Sequence, residues 1–229
     1  MTVIVLFGGR SDERHVSVAS AQNVVRTLNL PRDRETAQPR DRDTLAWFWA
    51  PTGAVYDVHR DELLAHPNPF TNDFQPSRPA IWPDLEMALD TLPVEDPVVL
   101  LALHGGEGED GTVQRMMESR AIPFTGSGSA ASAAAFDKGR AKEMVKDRVT
   151  IAESRVVSDP NAIEQTIAEM LQRHEKIVLK PLAGGSSRGL FFVDRANPSA
   201  PPVTGPYIVE QFIAGRELTV GVIESDNGP

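Results

Sequence analysis

Lys180-Pro181-Leu182-Ala183-Gly184-Gly185-Ser186-Ser187-Arg188-Gly189 stands between two apolar runs, Ile177-Val178-Leu179 and Leu190-Phe191-Phe192-Val193. The flanks are short and β-prone, so the stretch reads as strand, loop, strand: a hairpin with a Gly/Ser-rich tip. Such a tip can fold over an anion. Its glycines let the backbone approach a phosphate and turn N–H groups inward. Serine hydroxyls add donors, and a lysine at the strand end adds a point charge. The loop is not a Walker phosphate loop, which needs a lysine after the last glycine and a helix behind it. Here Leu190 and a strand follow. Taken alone, the stretch is equally a plain hairpin turn; the rest of the chain weighs between the two readings.

Outward from the hairpin, the carboxyl-terminal part reads as a small α+β unit. It has a strand at 154–158, a helix at 161–174, strands at 177–180 and 190–193, a proline-rich connector over 195–206, and strands at 207–212 and 217–224. Ser225-Asp226-Asn227-Gly228 is a hairpin-turn sequence with no return strand, the mark of a fold cut short.

The amino-terminal part has a different pattern. Val3–Phe7 is an apolar run closed by Gly8-Gly9, and reads as a buried parallel strand. Ser11-Asp12-Glu13 can cap the helix that follows, with acids at its positive end. Residues 29–45 are polar and hold a loop or a poor edge strand. Leu45–Ala50 and Ala54–Val58, split by Pro51-Thr52-Gly53, read as a hairpin. Residues 66–84 carry several prolines and are expected to be irregular, with Trp82 a packing residue. Pro97–Leu103 is the strongest strand and ends at His104-Gly105-Gly106. A helix follows with Val113, Met116 and Met117 facing inward. Ala121–Gly128 reads as a short strand and turn, and Ser129–Lys146 as helix. Two strands that end in glycine-rich turns before helices open a doubly wound parallel-sheet domain. Its site lies at the strands' carboxyl ends, where Glu13 and His104 can converge. The fold class is therefore α/β: a doubly wound amino-terminal domain, then an incomplete α+β region. The boundary falls within 124–150, giving domains 1–125 and 126–229.

Composition bounds the function. The 229 residues suit one large domain or two small ones. No apolar run approaches the ~20 residues of a membrane helix. No basic segment precedes Val3–Phe7, so that run is not read as a signal peptide. The lack of cysteine excludes disulfides and thiolate metal sites and fits a reducing compartment. A net charge of −9 argues against general nucleic-acid binding, though a local basic pocket for phosphates remains compatible with it.

Six motifs, in order, resemble the D-alanine–D-alanine ligases of the ATP-grasp superfamily. They are Leu6-Phe7-Gly8-Gly9-Arg10-Ser11-Asp12-Glu13-Arg14-His15-Val16-Ser17; Leu103-His104-Gly105 with Glu109-Asp110-Gly111; Phe124-Thr125-Gly126-Ser127-Gly128; Asp137-Lys138; Lys180-Pro181 with Gly185-Ser186-Ser187; and Val209-Glu210 with Gly215-Arg216-Glu217. The resemblance implies phosphorylation of one D-alanine's carboxylate by ATP. The amine of a second then attacks, giving the dipeptide, ADP and phosphate, a step of peptidoglycan synthesis in the cytoplasm.

By the same resemblance Glu13 holds the first substrate's ammonium, His104 lies near its carboxylate, and Ser186 positions the substrate end of the site. Lys138 and Lys180 match the lysines on the ATP phosphates, under a loop cover that includes Gly184, Gly185, Ser186 and Ser187. Glu210 matches the adenine-hinge acid, Ile213 lies in the nucleotide site, and Glu217 matches the ribose-binding acid. The residues alone also allow blander roles: a helix-cap acid for Glu13, a hydrogen-bonded strand-end histidine for His104, surface lysines for the two cations.

The family's magnesium-binding acids are expected beyond Pro229, so no metal ligand is assigned here. Three departures stand out. Asn197-Pro198 to Pro201-Pro202 replaces a family helix, residues 31–45 fit poorly, and Arg188 stands where a small apolar residue is usual. The family also suggests a homodimer. Two alternatives stay open: a ligase with another second substrate such as D-lactate, or a non-catalytic nucleotide- or D-amino-acid-binding remnant.

Overall fold

The computed structural model describes residues 1–29 and 43–223. The expectations for most of 29–45 and for the turn at 225–228 fall outside that range. The chain divides into two compact units. The first is Met1–Met144 with Ala183–Ser186, and the second is Val145–Leu182 with Ser187–Pro229.

The first unit is built on a four-stranded sheet ordered β3-β2-β1-β4, from β1 (Thr2–Gly8), β2 (Asp43–Trp49), β3 (Val55–Val58) and β4 (Pro97–Leu101). β1 pairs parallel with β2 and with β4, and β3 adds an antiparallel edge through the expected hairpin. The period-two alternation of strand side chains divides the core in two. Ile4 and Leu6 face Trp47, Val99 and the helices α3 (Leu85–Asp90) and α4 (Thr112–Glu118). Val3, Val5 and Phe7 face Phe48, Phe74 and the helices α1 (Arg14–Leu28) and α2 (Arg60–Ala65). Burying each such side chain contributes about 1.5–3 kcal/mol, so both faces of β1 hold the sheet. Trp82 packs its ring 4.6 Å from that of Trp47, the packing role expected of it.

Three local expectations need correction. Residues 121–128 form no strand; they contribute a single parallel bridge, Val99 to Phe124. The helix over 129–146 is two helices, α5 (Ser129–Phe136) and α6 (Lys138–Val145). The break is at Asp137, whose extended backbone and carboxylate cap the second helix by accepting from Arg140 N at 2.9 Å. Residues 217–223 form no strand, because no neighbouring strand among the described residues supplies a ladder. Leu218, Val220, Val222 and Ile223 are all exposed.

The second unit is an antiparallel sheet ordered β5-β8-β6-β7, from β5 (Ser154–Val157), β6 (Lys176–Pro181), β7 (Phe191–Asp194) and β8 (Tyr207–Gln211). β6 and β7 are the strands of the Gly/Ser hairpin. One face packs on helix α7 (Ile163–Arg173), whose Ile163, Ile167, Met170 and Leu171 recur at helical spacing against Ile177, Leu179 and Val209. Just before β5, Glu153 receives His174 Nε2 at 2.9 Å and Arg173 at 2.7 Å. The His174 hydrogen bond, then the Arg173 charge, holds the Glu153 carboxyl below its ordinary value. A lowered folded pKa stabilises the fold above the unfolded glutamate pKa and is lost as pH falls through the folded value. Glu153→Gln should therefore lower the unfolding midpoint at neutral pH, and the gap from wild type should close in acid. Thermal melts across pH 7 down to strong acid check this.

Candidate functional site

In the first unit the carboxyl ends of β1 and β4 carry the expected residues. Gly8 and Gly9 have φ of +95° and +90°, which turns the chain sharply out of β1 into α1. Gly9 N donates to Trp49 O at 2.7 Å and Gly8 N to Ser17 Oγ at 2.7 Å. Glu13 occupies the capping position of α1, yet its carboxylate makes no capping bond. The capping role expected of the Ser11-Asp12-Glu13 acids is therefore not the one observed for Glu13. Its carboxylate instead accepts a hydrogen bond from Ser186 Oγ.

The carboxylate also lies against the Cα of Gly105. A Cβ there, at φ +68°, would collide with Glu13 Oε2. His104 is one residue away, held through its carbonyl by Ser11 Oγ and through its ring by Ser20 Oγ, 2.8 Å from Nε2. Glu13, Ser186 and the His104-Gly105 turn thus form one constellation. An acceptor-only carboxylate, a hydroxyl and an imidazole together can hold a small zwitterion.

Lys138, at the start of α6, donates from Nζ to Gly184 O at 2.7 Å. Both border a cavity of about 400 Å³ that Glu109, Gln114, Ser127 and Ser132 also line. Gly184 takes φ +108°, as the loop reading requires, and Gly185 lies close enough to Glu13 that an added Cβ would sit 3.7 Å from its carboxylate. Ser186 and Ser187 both have positive φ, 51° and 55°. Side-chain-bearing residues hold that conformation at a cost of about 1–3 kcal/mol each, a strain that tends to collect at ligand clamps.

In the second unit Lys180 is not the lone strand-end charge the sequence suggests. Its Nζ lies 2.6 Å from Glu210 Oε2. The antiparallel register explains the pair: Lys180 faces Ile208 across β8 and Glu210 faces Val178, so the two charges are diagonal neighbours on one sheet face. Glu210 is buried, whereas Ile213 and Glu217 are exposed and lie outside regular structure. Among the described residues no group of three or more His, Asp or Glu could hold a metal ion.

The sequence alone assigned no role to Ser17 or Ser20, and for Ser11 it offered only helix capping. Ser17 is fully buried, accepting from Gly8 N and donating to Ala102 O at 2.7 Å, and so ties α1 to the ends of both strands. The available signal was a hydroxyl on the inward face of an amphipathic helix.

A family model described as D-ala D-ala ligase N-terminus matches residues 2–127. A D-alanine–D-alanine ligase from Rhodococcus opacus is 32% identical over 243 residues, 99% of this chain and 64% of its own. One from Pediococcus pentosaceus is 30% identical, over 100% of this chain and 67% of its own. The chain thus spans roughly two thirds or less of the length of these relatives. Among solved structures, the D-alanine-D-alanine ligase from Coxiella burnetii aligns with a TM-score of 0.71 at 23% identity, covering 94% of this chain and 65% of that one. The VanG D-Ala:D-Ser ligase from Enterococcus faecalis aligns at 0.64 with 22% identity, covering 93% and 63%. These likenesses bear on fold and the sequence matches on descent: the chain belongs to the D-alanine–D-alanine ligase family, whose amino-terminal region it matches.

Proposed function

We propose that this chain carries the first-substrate apparatus of an ATP-dependent ligase that joins two D-alanines. The observation that carries the reading is the Glu13 carboxylate. It is released from helix capping, hydrogen-bonded by a loop serine, and set one residue from His104 at the carboxyl edge of the parallel sheet. In the proposed reaction the first D-alanine's carboxylate attacks the γ-phosphorus of ATP, and ADP departs. The second D-alanine's amine then attacks the acyl carbon, and phosphate leaves with the C–O bond as the peptide bond forms.

Glu13 holds the first ammonium, and the Ser186 hydroxyl fixes the carboxylate that does so. His104 lies beside the reacting carboxylate. Lys138 is proposed for the ATP phosphates, and Lys180 and Glu210 for the nucleotide, with Gly184, Gly185 and Ser187 in the covering loop and Ile213 and Glu217 on the adenosine.

Calorimetric titration of this chain with D-alanine tests the reading. Wild type should bind it, and Glu13→Gln should weaken binding roughly 10- to 100-fold, the range for a charged hydrogen-bonded contact of about 1.5–3 kcal/mol. Equal affinity in the two proteins would return Glu13 to a structural role.

A further inference from the structure

His104 has two holders, and the one on its ring lies three residues past the end of the first of the six motifs quoted above. Ser20 sits in α1 one turn beyond Ser17, on the helix face turned toward the strand ends. Its Oγ is 2.8 Å from His104 Nε2. A serine hydroxyl has one proton to give, and inside a helix its usual acceptor is the carbonyl four residues back. Thr27 of the same helix follows that habit, donating to Asn23 O at 2.8 Å. Among the described residues Ser20 makes no such bond; its hydrogen bond goes to the histidine. A hydroxyl proton directed at Nε2 would make that nitrogen the acceptor and leave the ring proton on Nδ1.

We propose that Ser20 is a positioning residue that fixes His104 in its Nδ1–H tautomer and aims a neutral donor at the carboxylate of the first amino acid. The opposite tautomer would set a nitrogen lone pair against the lone pairs of a carboxylate. A neutral donor also orients that carboxylate while leaving it the charge it needs to attack phosphorus. The Ser11 bond to the His104 carbonyl sets where the residue stands, and the Ser20 bond sets how its ring is turned. The role rests on the reading of His104 as a substrate-facing residue given above.

The test uses the ¹⁵N-labelled chain and long-range proton–nitrogen correlation spectra at about pH 8, where an ordinary histidine is neutral. The chain has five histidines, so His104 is assigned by the signal lost in His104→Asn. Wild type should show His104 protonated on Nδ1. Ser20→Ala should move it toward the Nε2–H form, and Ser20→Thr, which keeps the hydroxyl, should restore the wild-type pattern. A wild-type ring protonated on Nε2, or an unchanged pattern in Ser20→Ala, overturns the proposal. The wild-type and threonine spectra decide it if the alanine variant does not fold.

A D-alanine titration followed on the same signal separates the two ideas. The proposal expects His104 to respond to D-alanine in wild type, with affinity about 3- to 10-fold weaker in Ser20→Ala, as loss of one neutral hydrogen bond predicts. Equal response and affinity in both proteins overturns the role of Ser20 alone. A ring that keeps its Nδ1 proton but ignores D-alanine overturns the substrate reading, and the positioning role with it.

Discussion

Gly8→Ala should destabilise the first unit by roughly 2–5 kcal/mol, the sum of a left-handed backbone penalty and an overpacking term. The glycine has φ +95°, and a Cβ there would lie 2.5 Å from Trp49 O and 2.7 Å from the Phe48 ring. The carbonyl belongs to the neighbouring parallel strand and cannot swing aside as a side-chain tip would. For a unit of this size the thermal midpoint should fall on the order of 10 °C. Gly126→Ala provides the control. Its φ is +103°, and an added Cβ meets nothing within 4 Å. It should show only the backbone part of the loss, so the difference between the two variants measures the contact. Equal losses would mean that β2 yields at Trp49.

Lys180→Met should cost the second unit about 2–4 kcal/mol, below the ~3–5 kcal/mol typical of breaking a fully buried pair because the lysine side chain is 35% exposed. The carboxylate left behind is only 8% exposed and loses an ammonium at 2.6 Å. Replacing both members by apolar groups removes the buried carboxylate together with its cation, so Lys180→Met with Glu210→Leu should recover much of the stability. Urea unfolding of the two single variants and the double variant completes the cycle. A double variant no more stable than Lys180→Met would show that lost packing of the lysine stem, rather than the ion pair, carries the effect. On the proposed function Lys180→Met should also weaken ATP binding. The stability measurement keeps that loss from being mistaken for unfolding.

Elements whose burial is written locally were legible in the sequence. Val3–Phe7 and Pro97–Leu103 are apolar runs of strand length closed by turns, and the structure places both in the parallel sheet, the second as far as Leu101. The Gly/Ser hairpin was legible for the same reason, with β6 and β7 pairing on either side of it. Features that depend on a distant partner were not. Residues 217–223 are β-prone in composition, but a strand exists only through its ladder, and composition does not report one. The break at Asp137 carried a signal, an aspartate three residues before the amide it caps, that the alanine-rich surroundings masked.

Within the candidate site, Glu13, His104 and Ser186 were proposed through motif resemblance, and the structure adds the contacts that link Glu13 to Ser186 and His104 to Ser20. The Lys180–Glu210 pair was hidden because the partners lie 30 residues apart and meet only through the β6–β8 register. Ser20 was hidden because a serine in a helix has no pattern of its own until the strand end beside it is known.

The Glu13–Ser186 hydrogen bond joins residues 173 positions apart. Closing a loop of that length in an unfolded chain costs roughly 4–5 kcal/mol by the logarithmic loop-length rule. One charged hydrogen bond returns only about 1.5–3 kcal/mol. The bond therefore cannot nucleate anything during folding. It is expected to form after the sheets have removed most of that entropy, and to be among the first contacts to open when the native protein fluctuates. Amide exchange across Gly184–Ser187 should accordingly be fast and nearly independent of denaturant, while β1 and β8 exchange only with their units' unfolding.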